Sequence, residues 1–170
     1  MNTSTVRFYS YDYGQAKTYL IAALFVLGNI ALPQLCHLIP HGGQIFLPIY
    51  FFTILGAYKY GWRVGIITAL ASPLVNSLAF GMPATAALPA IIVKSVFLAL
   101  AAGYAASHFR RISLLLMAGV VVAGQFLGSL FEWAYTGSAA VAMQDFRLGI
   151  PGMIIQVFGC WAVIKYVIRK

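Results

Sequence analysis

The sequence predicts an all-α integral membrane protein with six transmembrane helices and both termini cytoplasmic. Three observations carry that prediction. Of 170 residues, 62% are hydrophobic and 8% charged, so the 14 charged side chains, 11 basic and 3 acidic, are too few to cover a soluble domain of this size. The apolar residues fall into six runs near the length that crosses a bilayer. The basic residues stand at the ends of those runs, mostly on one side. A net charge of +8 could suggest nucleic acid, but nothing gathers the basic groups into one accessible, aromatic-lined face, and no nucleic-acid partner is expected.

Residues 1–16, with Arg7, Tyr9, Tyr11, Asp12 and Tyr13, read as an interfacial arm. The first span covers about 17–36. It begins after Arg7, Asp12 and Lys17 and lacks a following small-residue cleavage pattern, so it is expected to be a retained helix and not a signal peptide. A loop follows, punctuated by Pro40 and Gly42-Gly43. The remaining spans fall at about 45–60, 62–80, 86–108, 113–135 and 150–168, with a small-residue loop carrying Asp145 and Arg147 before the last and the tail Arg169-Lys170 after it. The whole is one domain. With six spans and cytoplasmic termini, Arg7, Lys17, Lys59, Arg63, Arg110, Arg111, Lys165, Arg169 and Lys170 share the inner side, 9 of the 11 basic residues. Five or seven spans would scatter them.

The segment 71–83, Ala-Ser-Pro-Leu-Val-Asn-Ser-Leu-Ala-Phe-Gly-Met-Pro, places two prolines, a glycine and an asparagine in and after the third span. Irregularity at membrane depth is tolerated where it faces protein or a cavity, so the segment is expected to form the rim of a pocket. At 1.5 Å per residue, Lys94 lies about 12 Å below the outer end of span four. Glu132 comes out near the outer end of span five, with Gln125, Asn76 and Gln156 at comparable or somewhat deeper levels. Gln125, Gly128, Ser129, Glu132 and Thr136 recur at one-face helical spacing, as do Thr68, Ser72 and Asn76, and Gly152, Gln156 and Gly159.

For each polar residue, interhelical hydrogen bonding and ligand binding both remain open. Lys94 and Glu132 are the sharpest pair, because a charge at membrane depth costs about 2.5–3.5 kcal/mol even on lenient scales. They could pair with one another for structure, or hold a substrate through an acceptor on Lys94 and a donor on Glu132. In the first outer loop, His37, Pro40, His41, Gly42, Gly43 and Gln44 are expected as a gate or ligand contact. Histidines four apart can share a metal, but Pro40 interrupts this pair and no third ligand is near, so neither metal nor cofactor is expected. Trp133 could stack on a ligand ring or belong to the interface belt with Phe131 and Tyr135. Cys36 and Cys160 have no partner at metal-ligand or redox spacing. No phosphate-binding glycine loop and no catalytic motif is found, and no enzyme activity is expected.

The ordered set Gly56-Ala-Tyr-Lys-Tyr-Gly61, Gly65, Ser72-Pro-Leu, Asn76-Ser, Gly81-Met-Pro83 and Leu88-Pro89, on six helices with a basic inner side, resembles the substrate-binding (S) components of energy-coupling factor vitamin transporters. The resemblance covers most of the chain. It implies an S-component-like bundle in a bacterial or archaeal plasma membrane that captures a vitamin-like solute from outside and delivers it by docking on a transmembrane scaffold subunit and two ATPase subunits. Lys94 departs from the acidic residue that relatives with this Gly-Met-Pro pattern often carry in helix four, and favours an anionic cargo. The family docks through a small-x-x-x-small face on helix one, which here falls to Ala16, Ala23, Gly28 and Ala31, without a clean four-residue repeat. The alternative is a self-contained transporter or channel that needs no ATPase.

Overall fold

The computed structural model describes residues 7–168; residues 1–6 of the expected arm and the tail Arg169-Lys170 lie outside the described residues. All the regular structure described is helical: α1 (Ala16–Cys36), α2 (Gly42–Phe46), a 3-10 turn (Pro48–Tyr50), α3 (Phe51–Tyr60), α4 (Trp62–Phe80), α5 (Leu88–Phe109), α6 (Leu114–Thr136), α7 (Ala139–Ala142), α8 (Gln144–Leu148) and α9 (Ile150–Ala162), the last running on as a π-helical turn (Val163–Val167). Five elements, α1, α4, α5, α6 and α9 with its extension, are long and apolar enough to cross a membrane, as in a multi-pass membrane protein.

The ends follow from local chemistry. Ser113 caps α6 by accepting a hydrogen bond from the Leu116 amide at 3.1 Å, and Pro89 and Pro151 occupy first-turn positions where their missing N–H groups are harmless. Gly81 and Gly137 end α4 and α6 in the left-handed conformation, φ +69 at both. Pro73 lies within α4, which continues unbroken to Phe80.

The expected second span, 45–60, is not one helix. It is broken at Leu47, which takes a left-handed φ of +47 as the C-cap of α2, and Pro48 follows, whose missing N–H cannot continue the helical hydrogen bonds. What remains, α3, is only ten residues long, and seven of them are buried. It packs against α1, α4, α5 and α9 and forms the bundle's centre, with Ile54, Ala57 and Tyr58 in one core with Phe25, Val64, Leu98, Ala102, Met117 and Ile164.

The arm is tied to the end of α3. The Tyr9 and Tyr11 amides donate to the Lys59 and Tyr60 carbonyls at 2.9 and 3.3 Å. The Lys59 ammonium donates to the Arg7 carbonyl and lies over the Tyr9 ring. Arg7, Lys17, Lys59, Arg63, Arg110, Arg111 and Lys165 all fall at this end of the bundle, opposite the end where α5 begins and α6 stops.

Candidate functional site

The α5–α6 contact is built on glycine. A Cβ on Gly124 would stand 3.0 Å from Leu98 Cα, and one on Gly128 would stand 3.0 Å from Lys94 Cα and 2.3 Å from its Cγ. The two antiparallel backbones therefore meet where side chains are absent, the small-x-x-x-small contact of membrane helices. Lys94, about 9 Å into α5 by its rise, has its Cβ tilted toward the helix N-terminus. Its stem runs past Gly128 toward the next turn of α6, which is Glu132.

There the Lys94 ammonium meets Glu132 Oε2 at 2.5 Å and Asp145 Oδ2 at 2.7 Å. Lys94 is 3% exposed. Asp145 comes from α8, in the segment between α6 and α9. With the ammonium and both carboxylates ionised, the site carries one negative charge in excess. Beside it, Gln125 is wholly buried with neither amide atom hydrogen-bonded, and the Ser129 and Ser95 hydroxyls are buried without partners. Gln125, Ser129 and Glu132 share one face of α6. Hydrogen-bonding capacity with no internal use is thus concentrated beside the ionic site.

Other expected residues go elsewhere. Asn76 belongs to a separate network joining α1, α3 and α4. Its amide nitrogen donates to the Asn29 and Ser72 carbonyls, both at 2.9 Å, while Asn29 donates to Thr53 Oγ1 and Ser72 Oγ at 3.0 and 3.1 Å and accepts from the Phe52 amide at 3.1 Å. Asn76 thus packs α4 against α1 with its Oδ1 buried and unpartnered, and beyond it Leu78, Phe80 and Met82 are exposed. Gln156 mends the break before α3, its amide donating to the Leu47 carbonyl at 3.2 Å, and its Oε1 is buried without a partner. It also lines an apolar cavity of about 190 Å³ with Leu32, Cys36, Phe46, Pro48, Phe51 and Ile155.

His37, Pro40, His41 and Gln44 are exposed, His37 lies against Gly43, and Gly42 is held against the Cys36 carbonyl. Trp133 is half-exposed on the outer side of α6 and so belongs with the surface aromatics, not with the site. Of the expected docking stripe, Ala16, Ala23 and Ala31 are exposed, whereas Gly28 faces the Phe52 ring, 2.8 Å from where its Cβ would be, and is an internal packing position. Among the described residues no three His, Cys, Asp or Glu side chains stand close enough to hold a metal ion.

Sequence reasoning passed over Asp145 and Asn29. Asp145 had a signal: it is one of three acidic residues in the chain, and a buried lysine draws on scarce carboxylates. Asn29 is a lone amide in an apolar helix, which at membrane depth needs partners. No protein-family model, no curated protein and no solved structure matches this chain.

Proposed function

We propose that the protein is the membrane-embedded binding subunit of an importer. In this reading it spans the bilayer six times, both termini lie in the cytoplasm, and the Lys94 site opens toward the outside. Its cargo is a small water-soluble anion, a vitamin or vitamin precursor bearing an acid group. Delivery inward uses a separate transmembrane scaffold and two ATPase subunits, as the resemblance to energy-coupling factor S components implies.

The observation that carries the reading is the surplus at Lys94. A pair serving only to hold α5 to α6 would be complete with Glu132, yet a second carboxylate reaches in from the segment between two helices. Four polar atoms of Gln125, Ser129 and Ser95 stand buried and unused. Ionisable groups at membrane depth mark pathways and binding sites, and amides and hydroxyls without partners suit a polar ligand. The basic residues at the arm end support the orientation. The broken segment 42–60 is admissible as a sixth crossing because the carbonyl at its break accepts from both the Gln156 side chain and the Tyr50 amide.

Purified protein is expected to bind one such acid at one-to-one ratio by calorimetry, and to import it into proteoliposomes only when the scaffold and ATPases are supplied with ATP. Uptake by the protein alone would overturn the reading in favour of a self-contained transporter. Chemical conversion of the bound solute, read by mass spectrometry, would overturn it in favour of an enzyme.

A further inference from the structure

We infer that Asp145 is a built-in stand-in for the ligand's acid group. On this view the segment between Gly137 and Gly149 is a lid, and a carboxylate of the ligand takes the place of the Asp145 carboxylate on Lys94. The inference rests on the binding role proposed above and adds the ligand group recognised and the part that moves.

Of the three charges at the site, two have nowhere to go. Lys94 hangs from a 22-residue helix with its stem pressed on Gly128, and Glu132 belongs to the same helix as that glycine. Asp145 differs. Its five-residue helix has no buried residue, it follows a four-residue helix, and the segment departs from α6 through Gly137 at φ +69. The backbone hydrogen bonds of this segment are short-range turns: Ala142 to Ser138, Met143 to Ala139, Arg147 to Met143, Gly149 to Asp145. The bond that ties it to the polar interior is Asp145 to Lys94.

The exchangeable member of the triad is therefore an anion. A group that replaces it while leaving Lys94 and Glu132 in place has to be an anion as well, whereas a cationic ligand would have to evict a lysine that is 3% exposed. One and two turns deeper on the Glu132 face, Ser129 and Gln125 offer unpartnered hydroxyl and amide groups to the rest of such a ligand.

The test uses the whole protein in liposomes with Cys36→Ser and Cys160→Ala removing the native thiols. Ser129→Cys then reports access to two membrane-impermeant methanethiosulfonates of similar size, one ending in a sulfonate and one in a trimethylammonium. Both should react slowly while Asp145 is present. Asp145→Asn should accelerate the sulfonate reagent by about tenfold or more, as expected when one hydrogen bond between charged groups no longer holds the lid, and the trimethylammonium reagent far less. Adding Lys94→Met should abolish that preference, and a reporter at Val121→Cys, about 12 Å deeper on α6, should stay silent throughout.

No acceleration by Asp145→Asn means that the segment is not a lid. Equal acceleration of both reagents means that Lys94 is not an anion site. Reactivity spreading to the Val121→Cys reporter means that Asp145 is a structural tie. Each of these overturns the inference. Labelling needs neither ligand nor partners, so such a failure leaves the proposed binding role standing, while normal labelling with no binding of any acid would sink that role and spare the lid.

Discussion

Lys94→Met removes one charge and keeps most of the apolar stem. The two carboxylate oxygens lie 2.5 and 2.7 Å from the ammonium, so they are at most 5.2 Å apart. Two negative charges at that separation repel by about 3 kcal/mol at an effective dielectric constant of about 20. That agrees with the loss of about 3–5 kcal/mol found when one partner of a buried ion pair is removed. Asp145 can relieve part of it by swinging outward with its short helix, but Glu132, fixed on α6, cannot follow. The expected loss is thus about 3 kcal/mol, read by reversible unfolding in mixed detergent micelles. Lys94→Met combined with Glu132→Gln and Asp145→Asn leaves no charge behind and should recover most of it. A single-variant loss below about 1 kcal/mol, the range of exposed pairs, would refute the view that these charges are withdrawn from solvent. So would a triple variant no more stable than the single one.

The same unfolding assay checks three further expectations. Asn29→Ala removes three side-chain hydrogen bonds among α1, α3 and α4 and should cost about 2 kcal/mol at the average of about 0.6 kcal/mol per interhelical bond; Asn76→Ala, which loses one interhelical bond, should cost about a third as much. Gly128→Leu must push α5 from α6 at a point where backbone atoms already touch, with an expected loss of about 1–3 kcal/mol, whereas Gly119→Leu, with nothing within 4 Å of its Cβ position, should be neutral. Gln156→Leu removes one of two hydrogen bonds to the Leu47 carbonyl, which keeps the Tyr50 amide at 3.3 Å, and should cost about 0.5–1.5 kcal/mol; a neutral outcome would mean that the break before α3 needs no support from Gln156.

The long helices were legible because apolar length and charge placement act residue by residue: α1, α4, α5, α6 and α9 with its π-helical turn start and stop within about two residues of their expected ends. The break at Leu47 was written in Leu47-Pro48, but the apolar run masked it. The pairing of Lys94 with Glu132 could be read from depth and helical phase along two straight helices. Depth alone could not assign Asn76 and Gln156, because a level in the membrane does not say which neighbour a side chain faces. Asn76 turns toward Asn29 and Gln156 toward Leu47. Asp145 could not be placed at all by helical phase, since it lies in a segment whose path depends on tertiary packing.

That difference in what could be read follows from how the bundle divides its polar groups. On the α1–α3–α4 side, the Asn29 network uses most of its donors and acceptors internally, and the arm ties Tyr9 and Tyr11 to the end of α3. On that side Asn76 Oδ1 and Gln34 Nε2 are left buried without a partner. On the α5–α6 side the glycine contact fixes Lys94 and Glu132, yet Gln125, Ser129 and Ser95 remain unsatisfied and one of the three charges is held on a short helix that is only half-buried. A fully satisfied polar network makes a structure rigid, while an incompletely satisfied one at membrane depth is costly unless something else completes it. Under the binding role proposed above, the incomplete half is where a ligand would lower the free energy most, and Asp145 would set the kind of ligand that fits.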